Sequence, residues 1–448
     1  MNTNRALMGT ILALLVSLSA PAFSKDGYGL PTAEPESLGM STEKLEAIKA
    51  NLQPLIDEHK VPGFVTVVAR KGKIVHFEAF GSMDVERKKD MRPDTIFRMY
   101  SMTKPITGAA VMILVQEGKI AVSDPLSKYI PEFAQMKVLV QNEEGASSTV
   151  PADKPITIEH LLTHTSGLTY GFFGNAVSKL YAAGGVEPDG GNGLTLEEFA
   201  KKAATQPLLA QPGTQWNYSI AMDILGRVVE VVSGQRYGDF LHERIFAPLG
   251  MKDAGFQVPK EKVARFAANY SPNPQAAGMV LADDPAQSSY LKVPSQDSGG
   301  GGMVGTAADY LRFAQMLLNG GELDGVRILS EESVQEMTSD HLGPEYGDAP
   351  LSTLAQAFGG LQPAEVIQAF KGIGFGYCGS VVRDGAGNTI FGTPGQYAWG
   401  GAASTDFWID RPQKLVGMVL TQLLPAGTYP TRTIMNNATY QALVERYE

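Results

Sequence analysis

The segments that read as β-strands lie at the two ends of this chain and the helical segments lie between them, so its sheet must be assembled from pieces several hundred residues apart. Near the N-terminal end, "GFVTVVAR" and "KIVHFEAFG" are β-branched and aromatic runs joined at Lys71 and Gly72, which is a hairpin signal. Near the other end, "GIGFGYCGSVVRD", "NTIFGTPG", "AASTDFWID" and "KLVGMVLTQLL" are short alternating or apolar runs with turn residues between them. The middle turns helical in "GAAVMILVQEG", "TIEHLLTHTSGL", "TLEEFAKKAATQP", "AMDILGRVVEVVSG" and "DYLRFAQMLLNGG". Thr195 and Glu198 have the spacing of a capping box, and Gly234 closes its helix. "STEKLEAIKANLQPLIDEHK" carries Leu45, Ile48, Leu52, Leu55 and Ile56 at helical spacing behind Ser41 as N-cap, and "MNNATYQALVERYE" reads as a terminal helix. The expectation is an α+β sandwich: an antiparallel sheet flanked by helices and built from both terminal segments, with an all-helical region inserted at roughly 115–295. A pocket would form where the two parts meet. The Gly-rich stretch from Gly171 to Gly193 reads as a loop over a site or a mobile excursion.

The first 24 residues, "MNTNRALMGTILALLVSLSAPAFS", place Arg5 before a short apolar run and then small residues, the pattern of a secretory signal cleaved near Ser24. The run from Ala6 to Leu18 is shorter than the roughly 20 residues that span a bilayer. An exported protein, periplasmic or secreted, with one domain over 25–448 and no stable membrane insertion after cleavage is therefore expected. The single cysteine, Cys378, excludes an intrachain disulfide and a thiolate metal cluster. A formal net charge of −10 argues against nucleic acid or an anionic membrane as partner and says little about a small substrate.

Two places carry a serine three residues before a lysine: "STEK" at Ser41 to Lys44 and "SMTK" at Ser101 to Lys104. On a helix that spacing puts the amine within reach of the hydroxyl, but the amine activates it only if it is neutral part of the time, which requires desolvation. The helix after Ser41 is amphipathic and charged, so Lys44 should be solvated. The stretch after Ser101, "PITGAAVMILV", is apolar on every side and should be buried, with Pro105 tolerated in its first turn. The helix N-terminus would then favour an alkoxide or oxyanion at Ser101. Among the six histidines none lies beside a GxSxG turn, and His160 and His164 in "EHLLTH" lack the internal glutamate and third ligand of a zinc motif. A hydrogen-bonded structural role is expected for them, and no metal or organic cofactor.

"SMTK", "HLLTHTSGL", "WNYSIAMDILGRVVEVVSG" and the late "WGG" come in an order and rough spacing that resembles the serine β-lactamase and penicillin-binding-protein superfamily, and within it the family VIII carboxylesterases related to class C β-lactamases. The resemblance covers the chain from about residue 35 to its end. It implies Ser101 as nucleophile, Lys104 as its partner and Tyr218 as a proton shuttle, with the backbone N–H groups of Ser101 and Ala402 as oxyanion hole. Two departures bear on substrate. Ile220 stands where class C enzymes have the asparagine of Tyr-x-Asn, and Trp399, Gly400 and Gly401 stand where they have Lys-Thr-Gly. Both replace polar recognition by apolar or small surface, which implies an uncharged ester as substrate, and glycines on that strand would let it approach the substrate closely. The resemblance thus implies hydrolysis of carboxylic esters through an acyl-enzyme. A β-lactamase or D-amino-acid peptidase on the same site, and a non-catalytic wall-binding protein of the same fold, are the alternatives.

Overall fold

Lys71 and Gly72 both take positive φ, 52° and 77°, in the tight turn that joins Gly63–Arg70 (β1) to Lys73–Asp84 (β2). This hairpin belongs to an eight-stranded antiparallel sheet in the computed structural model, which describes residues 28–141, 146–186, 193–354, 370–383 and 392–447. The other strands are Lys89–Asp90 (β3), Ile373–Phe375 (β4), Ser380–Val382 (β5), Tyr397–Gly401 (β6), Thr405–Asp410 (β7) and Leu415–Leu420 (β8). Their spatial order is β4-β5-β6-β7-β8-β1-β2-β3, so the two ends of the chain meet where β1 lies against β8, with Val65 opposite Leu420 and Arg70 opposite Leu415.

Side chains alternate between the two faces of a strand, and here both faces are buried. Phe64, Val68, Trp408, Leu415 and Val419 pack with Leu45, Ile48 and Leu52 of the helix Thr42–Asp57 (α1) and with Met435 and Ala438 of the C-terminal helix Thr431–Gln441. Val65, Val67, Phe407, Ile409, Val416 and Met418 face the main core, which includes Ile106, Ala110 and Ile113 of Thr103–Gln116 (α2) and Leu311 and Phe313 of Ala307–Leu318. Gly417 belongs to this packing: a Cβ there would lie 2.1 Å from the Trp408 ring. Every residue of α2 from Thr103 to Leu114 is buried, as its uniformly apolar sequence implies.

Several caps lie where the sequence puts them. Ser41 Oγ accepts from Lys44 N, Thr195 and Glu198 form a reciprocal capping box, and Gly234 closes Ala221–Ser233 (α3) in the left-handed region. Other boundaries differ. The inserted region is not all helix, because Lys137–Gln141 pairs with Ser147–Pro151 and Asn269–Pro272 with Met279–Asp283. Most residues of Lys137–Gln141, Ser147–Pro151 and Met279–Asp283 are exposed or half-exposed, so they carry no apolar alternation to read. The Gly-rich stretch contains the helix Ala176–Ala183, whose N-cap Asn175 accepts from Ser178 N. The terminal helix begins at Thr431, four residues before Met435, and ends at Gln441. The leader, and residues 388–391 of "NTIFGTPG", lie outside the described residues.

Candidate active site

Ser101 sits in a single 3-10 turn, Tyr100–Met102, that runs directly into α2. The turn is clamped from several directions. Met99 N donates to Met303 O at 2.9 Å, Thr103 Oγ1 donates to Tyr100 O at 2.6 Å, and the Tyr310 hydroxyl donates to Met102 O at 2.8 Å. Tyr100, immediately before the serine, has φ of 45°, a strained conformation for a bulky residue that persists where its surroundings over-determine it.

Two side chains converge on the Ser101 hydroxyl. Lys104 Nζ donates to Ser101 Oγ at 3.1 Å, and the Tyr218 hydroxyl donates to it at 2.6 Å. Lys104 is fully buried; its ammonium also donates to Gly300 O at 2.5 Å and lies 4.5 Å above the Tyr218 ring and 5.6 Å from that of Tyr170. A buried cation is tolerable only when paired in this way, by a carbonyl dipole and ring faces. Lys44, by contrast, is exposed and belongs to the surface of α1. The structure therefore brings Tyr218, 117 residues away in the chain, to the Ser101–Lys104 pair and leaves Ser41 and Lys44 outside this cluster.

The strand β6 closes the site. A Cβ on Gly401 would lie 2.3 Å from Met99 O and from Thr405 Oγ1, so glycine lets this strand press against the serine turn. A Cβ on Gly400 would meet Asp406 Oδ1 at 2.3 Å on the opposite side. Ala402 is the next residue, in the Ala402–Ser404 turn between β6 and β7. Trp399 is nearly buried, with its ring 5.7 Å from that of Tyr218 and 5.3 Å from that of Phe375. Ile220 is placed differently from the expectation. It is fully buried in the main core at the N-cap of α3 and offers no surface to a substrate. It leads a helix that must bury its apolar face, and its side chain goes inward with that face.

His160 and His164 have structural partners. His160 Nδ1 accepts from Thr157 N in a capping box, and burial first, then Lys154, pushes its pKa down to about 4. His164 Nδ1 is 3.0 Å from Ser219 Oγ; complete burial and, secondarily, the Lys104 charge hold this imidazole far below its usual range, hence neutral. Among the described residues no cluster of histidine, cysteine or acidic side chains could hold a metal ion.

Sequence reasoning missed Tyr170, whose ring lies 5.3 Å from that of Tyr218, and Asp223, buried on α3 with its carboxylate against the Ser298–Gly300 turn. Asp223 did have a signal: a charged residue set among apolar ones in "AMDILG" is a buried polar group in need of partners.

Residues 48–440 match the Beta-lactamase family. The chain belongs to that family. It is 31% identical over 431 residues to esterase EstB of Burkholderia gladioli, an alignment covering 91% of this chain and 98% of that one. It is 30% identical over 376 residues to the lovastatin esterase of Penicillium rubens, covering 82% and 90% of the two chains. The solved structure of EstCE1, described as a hydrolase with promiscuous acyltransferase activity, superposes with a TM-score of 0.72 at 27% identity, over 88% of this chain and 99% of that one. This member of the β-lactamase family is a serine hydrolase with the antiparallel sheet and flanking helices of that fold.

Proposed function

We propose that the protein hydrolyses carboxylic esters of small molecules through an acyl-enzyme on Ser101. The observation that carries this reading is the convergence of Lys104 Nζ and the Tyr218 hydroxyl on Ser101 Oγ, at 3.1 and 2.6 Å. Ser101 Oγ attacks the ester carbonyl carbon while its proton passes to the Lys104–Tyr218 pair, and the backbone N–H groups of Ser101 and Ala402 take the developing oxyanion. The carbon–oxygen bond to the alcohol breaks and the pair returns the proton to the leaving alkoxide. Water, deprotonated by the same pair, then cleaves the acyl–serine bond and releases the acid. Support for an ester over a β-lactam comes from the esterase names of the relatives and from Trp399, an apolar ring where a carboxylate-binding lysine would stand.

The test is kcat/KM for p-nitrophenyl butyrate and benzylpenicillin on one preparation. The ester should be much the better substrate, with a gentle dependence on acyl length across a series. A higher kcat/KM for the penicillin overturns the esterase reading in favour of a β-lactamase. No ester turnover together with no labelling of Ser101 by a fluorophosphonate favours the non-catalytic alternative. Export completes the proposal: Arg5, the apolar run and the small residues before Ser24 support it, and mass spectrometry should find a mature N-terminus between about residues 21 and 27.

A further inference from the structure

We propose that Asp223 is the positioning residue for Lys104: its carboxylate fixes the Ser298–Gly300 turn so that the Gly300 carbonyl holds the lysine against the Ser101 hydroxyl. Asp223 lies in the first turn of α3 and is fully buried. Its Oδ1 accepts from Ser298 Oγ at 2.6 Å and from Gly300 N at 3.1 Å. The same Gly300 residue, through its carbonyl, accepts from Lys104 Nζ at 2.5 Å. One peptide segment thus transmits the position of a carboxylate on one helix to an amine on another.

The turn is built for this link. Thr107, one helical turn beyond Lys104 on α2, donates from Oγ1 to Gly299 O at 2.7 Å, so both helices grip the segment. A Cβ on Gly300 would lie 2.5 Å from Asp223 Oδ2 and 3.1 Å from the Tyr170 hydroxyl oxygen, and a Cβ on Gly299 would lie 2.5 Å from Met222 O. The close approach that the two hydrogen bonds require therefore excludes any side chain at either position. Asp223 Oδ2 has no hydrogen-bond partner among the described atoms. A buried carboxylate with one oxygen unsatisfied is a costly way to fill space, which points to a role for its charge and its fixed Oδ1.

The electrostatic setting agrees. Burial pushes the Asp223 carboxyl up to about 6, against the opposing pull of the Ser298 hydroxyl, the Lys104 ammonium and the Gly300 N–H. The groups facing it are Lys104 from α2, Tyr170 from the loop before Gly171, and Tyr237 from the helix Tyr237–Leu241. Burial raises both tyrosines well above their usual range, and Cys378, which also feels Lys104, is raised likewise. His164 is held neutral. Above pH 6 Asp223 is thus the buried negative charge that faces Lys104.

The inference rests on Lys104 activating Ser101, and its test reads that step apart from ester turnover. Asp223→Asn keeps an acceptor for Ser298 and Gly300 but removes the charge; Asp223→Ala removes both. For each, the rate of Ser101 labelling by a fluorophosphonate is followed from pH 5.5 to 9.5, with kcat and KM for p-nitrophenyl butyrate and the thermal midpoint alongside. In Asp223→Asn, which keeps the acceptor, labelling across the pH range and kcat should stay within about threefold of wild type, with KM within about twofold. In Asp223→Ala labelling and kcat should both fall by about 10²-fold. Wild-type labelling in a folded Asp223→Ala protein overturns the proposal, and so does a loss in Asp223→Asn as deep as the roughly 10²-fold expected of Asp223→Ala. Should Asp223→Ala fail to fold, the Asp223→Asn profile decides alone. A wild type that labels at Ser101 yet spares esters sinks the esterase reading while leaving this result standing.

Discussion

The Tyr218 hydroxyl donates to Ser101 Oγ across 2.6 Å although 117 residues separate the two in the chain. That contact joins the inserted region to the serine turn, which packs against β6 and β7, and on the proposed mechanism it makes the tyrosine a proton relay. Tyr218→Phe removes one oxygen and leaves the ring contacts with Trp399 and Tyr170 in place. Turnover of p-nitrophenyl butyrate should fall by about 10²-fold or more with little change in thermal midpoint. Near-normal kcat in this variant would reduce Tyr218 to packing and leave Lys104 as sole base.

Ser101→Ala should abolish ester hydrolysis in a folded protein, since nucleophile and base act as one unit. Ser41→Ala removes an N-cap whose hydroxyl accepts from Lys44 N at 3.4 Å, and should cost about 1 kcal/mol of stability with activity intact. Residual turnover in Ser101→Ala, checked against a mass-labelled active-site probe, would refute the acyl-enzyme.

Gly401 tests the strand that closes the site. A methyl group there must displace Met99 O or Thr405 Oγ1, each 2.3 Å from the Cβ position, so Gly401→Ala should push β6 off the serine turn. A loss of about 1–3 kcal/mol from overpacking, and of tenfold or more in kcat, is expected in denaturation and rate measurements. Unchanged kinetics would show that the spacing between β6 and Ser101 does not matter to catalysis.

His76 sets part of the acid sensitivity. It is buried beside Thr66, whose Oγ1 lies 2.8 Å from Nε2, and burial pushes its pKa down from 6.5 to about 4. The unfolded chain takes up this proton below about 6.5 and the native chain below about 4, so the unfolded state binds more protons across that window and stability is lost as pH falls through it. His76→Gln keeps a hydrogen-bonding group without the titration. Urea denaturation at pH 7 and 4.5 should show wild type losing roughly 2 kcal/mol more than the variant over that interval. Equal losses would mean that His76 titrates normally in the native state.

What could be read from the residues alone follows the range of the forces involved. Lys71 and Gly72, the caps at Ser41 and Thr195, and Gly234 are local devices, satisfied within a few residues, and they stand where the sequence puts them. The buried helix after Ser101 was legible because apolarity on all sides needs no knowledge of neighbours. The exposed Ser147–Pro151 strand carries no such pattern, and the Ala176–Ala183 helix is hidden between glycines, with Asn175 its one clear sign. Ser101, Lys104 and Tyr218 were singled out by motif, and their side chains lie together in the structure; the β-lactamase family, the fold and the serine-hydrolase class are as the resemblance implied. Ile220 was placed at the substrate by position in a motif, but the burial of its whole helix face sends it into the core. Asp223 and Gly300 were missed because their link passes through a peptide carbonyl, which the side-chain alphabet does not record.

The pairing of β1 with β8 has a consequence for how the protein comes into being. Val65 waits for Leu420, and the serine turn waits for Gly401, so a nascent chain that already carries Ser101, Lys104 and Tyr218 still lacks the strands that complete their surroundings. Closing a sheet over such sequence distance is slow, and it comes after nearly all of the polypeptide has been made. On the proposed mechanism the unfinished chain holds an ordinary serine, and reactivity toward acyl groups should appear only with the last segments to be synthesised. A stop codon anywhere before β8 should therefore leave a chemically inert, aggregation-prone fragment, not a weakened enzyme.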